Sequence, residues 1–260
     1  MDMESKHYDE IAKDARKTVL RMIYEAQTSH IGSNFSVIEI LAVVFSVLKK
    51  EDNIILSAGW KAAAFYYFLV QKGILQQEAI DTFCREGSKF IGLTEPMPGV
   101  LFAGGSMGMG LPAGIGFALA KKVRKEPGTV YVIMSDGEMQ CGMTWESALI
   151  AKKYKLDNLT VVVDNNKFCA TGKTKDVLNI EPLLSKWKSF GWNTVGVFDG
   201  HNTKELEIAV LSKNINNVPK VIVANTIKGK GVSFMEDQNE WHYRAPNQEE
   251  YEEAMQELNV

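Results

Sequence analysis

The stretch from residue 129 to residue 166 constrains this chain more than any other. Residues 129–134 (Thr-Val-Tyr-Val-Ile-Met) and 159–164 (Leu-Thr-Val-Val-Val-Asp) are short, largely β-branched apolar runs, separated by a segment with helical periodicity. A strand, turn, helix and strand of this length form a parallel crossover unit. The first run leads into Ser135-Asp136-Gly137-Glu138 and the second into Asp164-Asn165-Asn166. Asp136 and Asn166, thirty positions apart, therefore reach the same edge of a sheet. Each offers a hard oxygen ligand to a divalent cation, which could in turn hold a diphosphate. The same residues also suit humbler roles, a helix cap at Asp136 and a turn at Asn166.

The rest of the chain repeats this alternation. Ile11, Ala15, Val19, Met22 and Ile23 mark a long first helix. A polar Ser/Gly-rich break is expected at 29–36, then a helix over 37–48, a strand at 52–57 and a helix over 61–71. A glycine-rich loop at 104–110 opens a helix reaching about residue 123, and further strands fit 192–197 and 220–224. Strands alternating with helices predict an α/β fold, a doubly wound, mainly parallel sheet with helices on both faces. There is no internal repeat or low-complexity linker, so residues 1–260 read as a single domain. Sites in such sheets gather at the carboxyl ends of the strands, where both polar clusters fall.

Composition narrows the partners. A net charge of −3 gives no reason to expect nucleic acid or an anionic membrane surface. The N-terminus has no apolar signal core and no run is long enough to span a membrane. Cys84, Cys141 and Cys169 form an odd set without Cys-x-x-Cys spacing, which suits a reduced, cytoplasmic setting.

Longer motifs carry a resemblance. Gly142, Trp145-Glu146, Ala148 and Lys155-Leu156-Asp157-Asn158-Leu159 lie between the two polar clusters. Near the C-terminus, Asn225-Thr226-Ile227-Lys228-Gly229-Lys230-Gly231 precedes Trp241-His242-Tyr243-Arg244-Ala245-Pro246. Ser29-His30-Ile31-Gly32-Ser33 and Gly105-Ser106-Met107-Gly108-Met109-Gly110 lie upstream. Gly229-Lys230-Gly231 lacks the spacing of a P-loop, and Gly108-x-Gly110-x-x-Ala113 does not follow a clear strand, so neither is read as a nucleotide motif. Taken in chain order, the segments resemble the transketolase family over about residues 29–258, in its N-terminal, diphosphate-binding part.

The resemblance implies the thiamine diphosphate-binding fold and a set of roles. Asp136, Asn166 and the carbonyl of Phe168 would hold Mg²⁺ (or Ca²⁺ or Mn²⁺). Gly137 would approach the diphosphate as backbone, with Lys228 and His242 beside it. Ser33, Gly105, Ser106 and Met107 would lie near the cofactor, and Ile227 would press on its rings. His30 would contact substrate oxygens, and His242 would also shuttle a proton. Glu146 would keep one member of a carboxylate network that links two active sites in the family.

Four departures matter. Ser57-Ala58-Gly59-Trp60 stands where the family has Ser-Lys-Gly-His, and Gly92-Leu93-Thr94 where it has Gly-His-Pro. Cys141-Gly142 replaces Glu-Gly, and Ser135 replaces a glycine. A cation and two substrate-reading histidines are lost, so the pocket is expected to be more apolar and to prefer a donor other than the ordinary ketose phosphate.

The resemblance further implies transfer of a two-carbon ketol unit from a ketose-type donor to an aldehyde. The family's pyrimidine-binding domain is not expected within residues 1–260. The expected assembly is therefore an α2β2 heterotetramer with a C-terminal transketolase-like subunit that carries this domain. Decarboxylation of a 2-oxo acid on the same cofactor, and a non-catalytic scaffold or regulatory role, remain as alternative readings.

Overall fold

The computed structural model describes residues 3–259. Among the described residues there are seven strands: β1 (Asn53–Leu56), β2 (Val130–Ser135), β3 (Leu159–Asn165), β4 (Phe168–Cys169), β5 (Gly172–Lys173), β6 (Asn193–Val197) and β7 (Lys220–Asn225). Five of them form one sheet in the order β1-β2-β3-β7-β6, with every pair parallel. β4 and β5 make a small antiparallel hairpin of their own, which the sequence did not suggest.

Central strands are buried on both faces, which is why they read as continuous apolar runs; every residue of β2 and β3 is buried. Alternate side chains nevertheless serve different cores. Tyr131 and Ile133 point to one cluster, with helices Met3–Ala26, Ile38–Val47, Ala62–Gln71 and Thr203–Leu211. Val130, Val132 and Met134 point to the other, with helices Gly110–Arg124, Gly142–Lys153 and Leu183–Ser189. Handedness explains the division. The crossovers from β2 to β3 and from β3 to β6 advance across the sheet and carry helices of the second face. The step from β6 back to β7 reverses direction and carries Thr203–Leu211 on the first face.

The predicted strands agree with those observed to within a residue or two. Residues 29–36 do not. The expected break is instead a buried helix, Ile31–Ser36, entered through His30 at φ 73° and running almost directly into Ile38–Val47. Its small residues permit a close approach that the local sequence does not advertise. A Cβ on Gly32 would lie 3.0 Å from Lys228 Cγ, and the Gly32 carbonyl accepts the Gly229 N–H at 2.9 Å.

Candidate active site

Register assembles the acidic side of the site. Ser135 on β2 pairs with Asp164 on β3, so the chain leaves both strands at one level. Asp136 Oδ2 then accepts the backbone N–H of Lys167 at 2.6 Å, and Oδ1 accepts that of Gly137 at 2.8 Å. Asn166 Oδ1 accepts the Phe168 N–H at 3.1 Å, while its amide donates to Ser36 Oγ at 3.1 Å. Asp136 lies fully buried between Ser135 and Gly137, which both line a cavity of about 340 Å³ at the carboxyl ends of the strands. Burial above all, and then the charge of Asp164, push the Asp136 carboxyl up to about 7, against the pull of Lys61 and two backbone donors. This is a carboxylate short of positive charge. The hard oxygens offered along this edge are those of Asp136, the Asn166 side chain and the Phe168 carbonyl, the ligand type a divalent cation prefers.

Two buried carboxylates with no role expected from the sequence organise these loops. Asp164 accepts from Ser36 Oγ at 2.6 Å, from Thr226 Oγ1 and from the ammonium of Lys61. Glu138 closes a capping box with Ser135, accepting its N–H at 2.8 Å. It also accepts the Gly108 N–H at 3.1 Å and the Ser57 hydroxyl, fixing the glycine-rich loop to the end of β1. The Ser-x-x-Glu spacing was the available signal for Glu138. Asp164 and Lys61 had none.

The opposite wall is basic. Lys228 Nζ lies 2.9 Å from both His242 Nδ1 and Asn239 Oδ1, and 5.3 Å from the centre of the Phe168 ring. Burial lowers Lys228 to about 8, so it remains charged at neutral pH. Burial and then the Lys228 charge lower His242 to about 3 and His30 to about 4. Both imidazoles are neutral at pH 7, with ring centres 4.8 Å apart. The backbone N–H of His30 donates to the backbone carbonyl of His242 at 2.8 Å, tying the two segments together.

The remaining expected residues divide. Ser33, Gly105 and Met107 line the cavity with His30, Asn166 and Lys228. Ser106 is exposed in the loop beside it. Ile227 is half-buried, and its N–H donates to Nε2 of His201 at 2.8 Å. His201 Nδ1 in turn lies 2.9 Å from Glu39, which Arg16 grips through both oxygens. Glu146 is exposed on helix Gly142–Lys153, away from the cavity wall. The rim is apolar: Trp60 and Tyr243 face His30 at 6.4 and 5.9 Å between ring centres. Leu93 Cδ2 lies 3.1 Å from where a Cβ on Gly105 would sit.

Residues 8–259 match the model of the family described as transketolase, thiamine diphosphate binding domain. The chain belongs to the transketolase family. This transketolase-family chain is 34% identical to a subunit of the apulose-4-phosphate transketolase of Phocaeicola vulgatus, the match covering 94% of this chain and 91% of the relative. A 6-deoxy-6-sulfo-D-fructose transketolase subunit of a Clostridium species is 35% identical, with 94% and 93% covered. The crystal structure of Campylobacter jejuni transketolase superposes with a TM-score of 0.92 at 26% identity. It is matched over 100% of this chain but only 43% of its own length, so the present chain spans about two fifths of that transketolase. That family is described as a thiamine diphosphate binding domain, and its match covers nearly all of this chain. Among the described residues no helix is long and apolar enough to cross a membrane.

Proposed function

We propose that this chain is the diphosphate-binding subunit of a split transketolase, which passes a two-carbon ketol unit from a ketose-type donor to an aldehyde. One arrangement carries the reading: Gly137, Asn166, Phe168, Lys228 and His242 line one cavity, with the buried carboxyl of Asp136 next to Gly137. Asp136, Asn166 and the Phe168 carbonyl would hold Mg²⁺, and Lys228 would neutralise diphosphate oxygens. Thiamine diphosphate supplies, when bound, the electron sink that the side chains lack.

His242, whose Nδ1 is engaged by Lys228, presents Nε2–H as a neutral donor. His30, with Ser29 Oγ 2.6 Å from its Nδ1, stands next to it as the substrate-facing imidazole. Neutral imidazoles orient oxygens and accept or relay a proton without placing another fixed cation beside Lys228. Glu146 fits an interface role better than a cavity role, because it is exposed in the single chain.

The relatives of similar length are themselves named as transketolase subunits, which supports a partner for this chain too. We assign to that partner the pyrimidine-binding domain, in an α2β2 assembly that works in the cytoplasm. The apolar rim of Trp60, Leu93 and Tyr243 favours a donor poorer in hydroxyl groups, or bulkier, than xylulose 5-phosphate. The relatives named for apulose 4-phosphate and a sulfo-sugar are consistent with donors of unusual shape.

The test is co-purification with the product of the neighbouring reading frame, followed by calorimetric titration of thiamine diphosphate with and without Mg²⁺. Mg²⁺-dependent binding by the complex, with ketol transfer and no carbon dioxide release, is expected. Absence of binding in the complex would overturn the proposal in favour of a scaffold. Carbon dioxide release from a 2-oxo acid would favour the decarboxylase reading.

A further inference from the structure

Lys61 is wholly buried, yet belongs to the cavity wall together with Gly137, Asn166 and Lys228. It follows Ala58 by three residues, in the segment where the resemblance led us to expect a lysine and found none. Its ammonium carries three N–H donors. Among the described residues one partner takes one of them, Asp164 Oδ2. Asp164 does not depend on Lys61 for its hydrogen bonds, because Ser36 and Thr226 hydroxyls already donate to it. A buried ammonium with donors to spare, beside a cavity built for an anion, is an unusual expense unless the anion completes its coordination.

We propose that Lys61 is a diphosphate-binding residue of this chain, supplying from the start of helix Ala62–Gln71 the cation missing at Ala58. The inference rests on the thiamine diphosphate reading above and adds a residue to it. The short 3-10 turn Gly59–Lys61 that enters that helix sets Lys61 in the cavity lining, with its ammonium on Asp164 at the end of β3. The competing reading is that Lys61 does no more than neutralise Asp164.

The two are separated by calorimetric titration of the complex with thiamine diphosphate plus Mg²⁺, and separately with inorganic pyrophosphate plus Mg²⁺. The variants are K61M and K61M/D164N. The double variant removes both charges of the ion pair, so no buried carboxylate is stranded; the hydroxyls of Ser36 and Thr226 can reorient toward an amide. Thermal unfolding establishes that each variant is folded, and the double variant decides if K61M is not. A tenfold or greater rise in Kd for both ligands in the folded variants is expected. Affinity within twofold of wild type in folded K61M or K61M/D164N would overturn the role of Lys61 while leaving the cofactor reading intact. Wild-type complex that binds neither ligand would overturn both.

Discussion

Lys228 Nζ sits 2.9 Å from Nδ1 of His242, and an ammonium can only donate, so the imidazole carries its proton on Nε2. One lysine thus fixes the tautomer of the histidine, adds a cation to the basic wall and, after burial, opposes protonation of the ring. His30, whose ring centre is 4.8 Å from that of His242, is held neutral by the same two causes, burial first and Lys228 second.

Replacing Lys228 by Met should therefore release part of this restraint. In the wild type, with His30 lowered to about 4 and His242 to about 3, little titration of either is expected between pH 5 and 8; in K228M both should move upward, and Nδ1 of His242 should become free to protonate. Nitrogen-15 NMR of the imidazoles across that range checks it. Unchanged titration curves would mean that burial alone sets both values.

Lys220 offers a pH prediction far from the site. Its side chain is 2% exposed, and Nζ donates to the carbonyls of Val210 and Ser212 at 2.9 Å, at the end of helix Thr203–Leu211. Burial lowers it to about 8 from an ordinary 10.5. Between those values the unfolded chain binds more protons than the folded one, so this group makes stability rise with pH. The cost of charging Lys220 is fully present below pH 8 and is relieved as pH approaches 10.5. Relative to K220M, wild-type stability should gain up to about 1.4 kcal/mol per pH unit in that window. Denaturant melts at pH 7.5, 9 and 10 measure the difference, and parallel curves for the two proteins would refute it.

Gly59 is predicted to tolerate no side chain. A Cβ there would lie 2.3 Å from the carbonyl carbon of Gly104 and 2.6 Å from the nitrogen of Gly105, both backbone atoms that cannot turn aside. Gly59→Ala should destabilise the fold by roughly 1–3 kcal/mol and weaken cofactor binding by shifting the loop that contains Gly105 and Met107. Chemical denaturation with parallel calorimetry tests both effects; a stable variant with native affinity would show that the loop yields freely.

Trp60 and Leu93 are predicted to set donor preference. Restoring polar donors with W60H/L93H should raise kcat/KM for xylulose 5-phosphate at least tenfold in the complex, because hydroxyl groups gain partners on the rim. Steady-state kinetics with this donor and the two single variants would decide, and no gain in any of them would place donor selection elsewhere.

How much of this is legible beforehand follows from the range of each interaction. The five strands of the main sheet can be read because buried parallel strands are short continuous apolar runs, as at 129–134 and 220–224. Asp136 and Asn166 can be paired because a single crossover fixes their separation. The helix Ile31–Ser36 reads as a break, since its serines and glycine favour irregular structure until Lys228 and Trp241 pack against Gly32. Lys61, Ser36 and Asp164 are invisible for a stronger reason. Their contacts span 103 and 128 positions, and no local pattern distinguishes a lysine at the head of an apolar helix from one in solvent.

The sequence by itself determined the alternation of strands and helices, the sheet edge shared by Asp136 and Asn166, and the family to which these motifs belong. Those features are encoded in periodicity and in short spacings, which survive without any knowledge of the fold. The tertiary structure alone decided which polar groups are buried together: Lys61 with Asp164, Lys228 with His242, Glu138 with the backbone of Gly108. Burial converts such neighbours from weakly coupled surface groups into partners that set one another's protonation and orientation. That coupling exists only after the chain has closed around them.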